Sequence, residues 1–220
     1  MPVGQINMNS DFGKNIAALS QISETVVEIG TWNGCGSTRC VIAGMENNLL
    51  CDKVRSFISI ELVKEMYDQA IVNVPENGYT KLLNGTIIEP KDLDWFDVEK
   101  HLASCKDVER QHFELYYEKE IQAISDVKNV LDQLPEQIDL LILDGGEYST
   151  YPEWQILKSR TSIVALDDTH LLKTKKIQEE LVNDPEWHMF WQSSSRNGCA
   201  IWRRSCFQQF FYFGEKNDIL

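Results

Sequence analysis

The sequence predicts an α/β protein built on a central, mostly parallel seven-stranded sheet with helices on both faces and a C-terminal antiparallel hairpin. Three observations predict it. Strand-like apolar runs alternate with stretches of helical spacing, the pattern of successive βαβ units. One run, Ile138-Asp139-Leu140-Leu141-Ile142-Leu143, is almost continuously apolar, as in a parallel strand buried on both faces. The last two runs, Trp187–Gln192 and Gly198–Arg203, are separated only by Ser193-Ser194-Ser195-Arg196-Asn197. A parallel crossover needs about a dozen residues or more, and Asn197-Gly198 is a hairpin signal.

A chain of 220 residues is read as one domain, 1–220, with a helical insertion at about 92–134 and an aromatic tail at about 205–220. The net charge of −13 argues against nucleic acid and against an anionic membrane surface, and serves solubility. No apolar run approaches the ~18 residues of a membrane span, and the N-terminus lacks a basic start followed by an apolar stretch. The six cysteines, at 35, 40, 51, 105, 199 and 206, form no C-x-x-C pair. They read as reduced thiols of a cytoplasmic protein without a zinc site.

Taken in order, residues 1–10 read as a poorly ordered arm. Phe12–Ile22 carries apolar residues near helical spacing with Asp11 as N-cap. Thr25–Ile29 is the first strand. It runs into a turn with Gly30, Gly34 and Gly36, and a helix begins at Ser37, reaching about Gly44. Strand, Gly-rich turn and helix N-terminus together form a cradle with backbone N–H groups facing a ligand. Its residues are Glu28, Gly30, Thr31, Trp32, Asn33, Gly34, Gly36 and Ser37.

Ser56–Glu61 is the second strand. Glu61 stands at its C-terminal end, where a carboxylate can accept two hydrogen bonds from a vicinal diol. Leu62–Val74 is a helix. Tyr79–Ile88 is a third strand interrupted by Asn84-Gly85-Thr86. The 92–134 stretch has no strand character and holds a helix over about Val108–Leu134, stopped by Pro135. It is either a cap over the site or a crossover helix packed on the sheet.

Ile138–Leu143 is the fourth strand and delivers Asp144 to its C-terminal end. Tyr151–Arg160 reads as helix. The run from Ser162 exits through Asp167-Asp168-Thr169-His170, and Lys173–Val182 is a helix. Phe207, Phe210, Phe211, Tyr212 and Phe213 in the tail need burial, either over the hairpin edge or in a homodimer contact.

The turn Glu28-x-Gly30-x-x-x-Gly34-x-Gly36 resembles motif I of the class I S-adenosylmethionine (SAM)-dependent methyltransferases, whose fold is Rossmann-like and ends in an antiparallel hairpin. Together with Glu61, Leu143-Asp144-Gly145-Gly146 and Leu166-Asp167-Asp168, it resembles the macrocin and sugar O-methyltransferase family, related to the catechol O-methyltransferase group. The likeness spans roughly residues 15–204. It implies SAM as cofactor, with Glu28 closing the turn near the methionine end and Glu61 on the ribose. Asn84, Gly85 and Thr86 lie near the adenine, where Thr86 replaces the family's Asp. It also implies Mg²⁺ or Mn²⁺ on Asp144, Asp167 and Asp168, and a small-molecule or sugar/glycan hydroxyl as acceptor. Three carboxylates at strand ends suit such a hard cation, which lowers the acceptor's pKa. The alternatives are that Asp168 caps a helix or loop and that Asp144 binds a cofactor amine or water.

The family's second Asp of D-G-D, a general base, is Gly146 in this chain. Glu147 and His170 are the substitutes, alongside Asp144 in the catalytic set. His170 is preferred because an imidazole titrates near neutrality. Trp32, Tyr148, Tyr151 and Trp154 either stack on a sugar ring or pack the core. The expected activity is O-methyl transfer. The alternatives are a SAM-binding, catalytically silent partner protein and an NAD(P)-dependent oxidoreductase, the latter disfavoured by the glycine spacing and the hairpin.

Overall fold

The computed structural model describes residues 4–47, 54–104 and 106–205. The arm differs from expectation: over residues 4–10 it is packed, with Ile6 buried and the Gly4 N–H donating to the Cys35 carbonyl at 3.1 Å. The first helix, α1 (Asp11–Ser20), is capped by Ser10, whose hydroxyl accepts the Gly13 N–H; Asp11 lies inside the first turn. The aromatic tail and its dimer contact lie outside the described residues, as do Cys51, Cys105 and Cys206. Cys35, Cys40 and Cys199 are free thiols.

Seven strands follow: β1 (Thr25–Ile29), β2 (Ser56–Glu61), β3 (Thr80–Asn84), β4 (Ile138–Leu143), β5 (Thr161–Asp167), β6 (Trp187–Ser193) and β7 (Cys199–Arg204). They make one sheet in the order β3-β2-β1-β4-β5-β7-β6. The first five are parallel. β7 inserts antiparallel beside β5 and carries β6 on its outer edge. The hairpin is thus where the short connection places it, with Arg196 (φ 58°) and Gly198 (φ 81°) turning the chain.

The period of two along each strand divides the core. Val26, Phe57, Leu140 and Ile142 face α1 and α2 (Ser37–Glu46). Val27, Ile58, Ile60, Leu141 and Leu143 face the opposite layer, where α6 (Thr150–Leu157) and α7 (Leu172–Asn183) contribute Trp154, Leu157, Ile177 and Leu181. α3 (Lys64–Asn73) starts two residues later than expected, after Glu61 has bonded the Val63 N–H. β3 stops at Asn84 because the Gly85–Ile88 stretch leaves the sheet and bonds Lys128 and Val130.

The long helix of the insertion stops at Asp126, eight residues before the expected end, and a separate short helix precedes it. The insertion comprises a 3₁₀ turn (Pro90–Trp95), α4 (Val98–Ser104), α5 (Asp107–Asp126) and a second 3₁₀ turn (Leu131–Gln133). It clamps the β4–α6 loop through Tyr148, which is fully buried. The Trp95 indole N–H donates to the Tyr148 carbonyl at 2.9 Å, the Tyr148 hydroxyl donates to Phe113 O, and Tyr117 meets the ring edge-on. Tyr148, Tyr151 and Trp154 are therefore core residues.

Candidate functional site

The strand order reverses between β1 and β4, and ligands bind at the carboxyl ends of strands at such a switch point. A cavity of about 260 Å³ opens there. Gly30, Thr31, Trp32, Gly36, Ser37, Asp144, Asp167 and Asp168 line it together with Gly4, Gln5, Ile6 and Arg196. Eight residues singled out in the sequence thus meet at one wall.

The local reasons are specific. Gly30 has φ 98°, and a Cβ there would collide with the Asp144 carbonyl, so β1 and β4 leave the sheet in backbone contact. No side chain caps α2, whose first residues Gly36 and Ser37 face the cavity, so the positive end of that helix is turned to it. Beneath the turn, buried Glu28 accepts hydrogen bonds from the hydroxyls of Ser37, Thr38 and Ser59. Burial raises its pKa, and those hydroxyls oppose the rise. Glu28 closes the turn from below rather than lining the cavity. Asn33 holds the turn, accepting the Cys35 N–H at 3.0 Å, and Gly34 packs on Ala70 and Val74.

Glu61 lies next to the cavity, across Trp32. Its oxygens accept the Trp32 N–H at 2.6 Å and the Val63 N–H at 2.8 Å. Burial pushes its pKa up to about 7, against the pull of those two N–H groups. A carboxylate has about four lone-pair sites, so two remain for hydroxyl donors. Trp32 itself, at φ 51° and 41% exposed, offers an open aromatic face.

Asn84, Gly85 and Thr86 do not line the cavity. The Asn84 amide donates to the Glu61 and Leu62 carbonyls, and Thr86 pairs with Asn129 through the Lys128 and Val130 backbone. They tie the β2 and β3 exits to the end of the insertion.

Asp144, Asp167 and Asp168 do converge, with one oxygen of each within 4.8 Å of the others. The cluster already holds two cations. Lys173, on the first turn of α7, places Nζ 2.7 Å from Asp144 Oδ1 and 2.8 Å from Asp168 Oδ2. Arg196, from the β6–β7 turn, places Nη2 2.9 Å from Asp167 Oδ2. Burial pushes Asp144 up while Lys173 pulls it down. Burial, then Asp144 and Asp168, hold Asp167 at about 6. For Asp168, burial is outweighed by Lys173, Asn197 and Arg196, and the pKa falls. Burial acts against the Lys173 ammonium, but Asp144 and Asp168 more than offset it and its pKa rises. As it stands, the donor set does not fit a divalent ion, because an ammonium already sits against two of the three carboxylates.

The two substitute bases lie elsewhere. His170 is exposed, sits against Gly198 and does not line the cavity. The Glu147 carboxylate accepts the N–H groups of Leu172 and Lys173 and so caps α7. A Cβ on Gly146 would land on the carboxylate of Glu120 from α5. That carboxylate also accepts the N–H groups of Tyr148 and Ser149. The Glu120 carboxylate thus occupies the space that a side chain at position 146 would take. Glu120, Lys173 and Arg196 carry no sequence signal of this role, since each reaches the site from a separate element.

No family model and no curated protein sequence matches the chain. Solved structures do share its fold. One is a Klebsiella pneumoniae protein provisionally assigned as an O-methyltransferase (TM-score 0.55, 12% identity, 93% of this chain and 83% of that one). Another is the Bacillus cereus O-methyltransferase in complex with SAH (0.53, 15%, 92% and 84%). A third is the Streptomyces achromogenes O-methyltransferase TomG, involved in tomaymycin synthesis, in complex with SAM (0.50, 14%, 87% and 78%). The fold is the Rossmann-like fold of these methyltransferases, terminal hairpin included.

Proposed function

We propose that the chain is a SAM-dependent methyltransferase acting on a hydroxyl of a small, polar or sugar-like acceptor. The observation that carries this reading is the convergence of the open α2 N-terminus, Trp32 and Asp144 at the switch point, with Glu61 one residue's width away. The residues fit the cofactor. The α2 N-terminus suits its carboxylate and Glu61 suits its ribose diol. The cavity is below the ~300–1,000 Å³ of most ligand sites, so Trp32 and Glu61 beside it would hold the part of the cofactor that the cavity does not take.

Bound SAM supplies a methyl activated by its sulfonium. The protein's work is to orient the acceptor and receive its proton. Asp167 is the base we favour, since it lines the cavity and its pKa is held at about 6. Arg196 fixes its Oδ2. Trp32 offers an apolar face for the acceptor ring, with Asp144 and Asp168 as hydrogen-bond acceptors for its other hydroxyls. Labelled SAM incubated with a panel of sugars, polyols and catechols should pass label to one acceptor class. Asp167→Asn should lower kcat by about 10²-fold or more while leaving SAH binding within about threefold.

A second reading, a SAM-binding but silent partner protein, draws on Gly146, where the family's base is missing. It predicts SAH binding with no label transfer to any acceptor.

A further inference from the structure

The three aspartates at the strand ends are built around a cation that the chain itself supplies. Lys173 is on the first turn of α7, and its side chain is only 8% exposed. Its ammonium bridges Asp144, at the end of β4, and Asp168, after β5. The third carboxylate, Asp167, is met by Arg196, which also comes within 3.9 Å of Asp168. Three carboxylates and two cations leave one net negative charge, where an open divalent site would present three. The α7 N-terminus is held in place by Glu147, which accepts the Leu172 and Lys173 N–H groups, and by the Thr174 hydroxyl, which donates to the Asp167 and Asp168 carbonyls. The ammonium is therefore positioned by backbone contacts on both sides of it.

A hard divalent ion takes oxygens at roughly 2.0–2.6 Å. Here two of the three nearest carboxylates already point at an ammonium, and a second cation a few ångströms away would be repelled in a poorly hydrated setting. Lys173 cannot swing to solvent cheaply, because leaving would strand two acidic side chains inside the site.

We propose that Lys173 is the resident cation of this cluster, acting as a positioning residue in place of a divalent metal, so that the site works without one. Its ammonium holds the Asp144 and Asp168 carboxylates in place at the cavity wall. The consequence for methyl transfer rests on the function proposed above; the occupancy of the cluster by Lys173 does not.

The test is a Mn²⁺ titration of the full chain followed by electron paramagnetic resonance, on wild type, Lys173→Arg, Lys173→Met and Lys173→Met/Asp168→Asn. Wild type and Lys173→Arg should leave Mn²⁺ free through the high-micromolar range. Lys173→Met should bind it roughly tenfold or more tightly, and adding Asp168→Asn should abolish that gain. Wild-type binding of one Mn²⁺ at low micromolar concentration would overturn the proposal. The wild-type result decides the matter whether or not Lys173→Met folds. SAH titration in chelator is run beside it. Absence of SAH binding there would sink the methyltransferase reading and leave the Mn²⁺ result standing.

Discussion

Glu153 sits buried on α6, and Oε2 has no partner among the described residues. Burial, then Glu120 and Glu61, push its pKa up to about 8 from 4.5. The native state therefore holds a proton that the unfolded chain releases as pH rises through that interval. Stability falls between about pH 4.5 and pH 8 and levels off above it. Glu153→Gln stays neutral throughout, so its Tm should exceed wild type by several degrees near pH 9 and match it near pH 4 in scanning calorimetry. Gly146 makes a second residue-scale prediction. Gly146→Asp, which restores the family pattern, should cost about 2–4 kcal/mol in denaturant unfolding, because it drives a carboxylate against that of Glu120. The double variant with Glu120→Ala should recover part of that loss, since the two positions share one space. The departure at Gly146 was legible in the sequence. Its cause was not, because Glu120 comes from a helix 26 residues earlier and only the fold brings it there.

At the scale of elements, the strands were legible because parallel strands buried on both faces leave nearly continuous apolar runs. The hairpin was legible because a short connection admits one geometry. The arm and the insertion were not. Residues 4–10 carry little apolar pattern, yet Gly4 packs on the Gly36 backbone and Ile6 enters the core beneath the α2 start. α5 is only weakly amphipathic in sequence; it is seated by Tyr148 against Phe113 and Tyr117, by Glu120 bonding the Tyr148 and Ser149 N–H groups, and by buried Ile124. Tyr148→Ala should cost about 3–5 kcal/mol. Hydrogen exchange should locate the loosening in residues 107–126 while the amides of β1 and β4 stay protected. Uniform loss of protection across the sheet would show that α5 opens only together with the sheet.

At the scale of the molecule, the sheet places its switch point, its Gly-rich turn and its acidic strand ends on one edge. Most of the cavity wall was legible in the sequence, since those residues fall at strand ends. Asn84, Gly85, Thr86, His170 and Glu147 lie off that wall, because a residue following a strand can turn to either side. Lys173 and Arg196, which meet the aspartates, were invisible because they reach them from α7 and the β6–β7 turn. No helix among the described residues is long and apolar enough to cross a membrane. Because Glu61 titrates at about 7 and only its ionised form accepts from both ribose hydroxyls, the Kd for SAH should fall roughly tenfold from pH 6 to pH 8. That dependence should disappear in Glu61→Gln.

Calorimetric titration of S-adenosylhomocysteine into wild type and Glu61→Ala at pH 8 tests the central claim most directly. The account predicts one site per chain in wild type and a loss of roughly tenfold to a hundredfold in Glu61→Ala, the contribution of hydrogen bonds to a charged acceptor. No heat of binding in folded wild-type protein, or equal affinity in the two proteins, would contradict it.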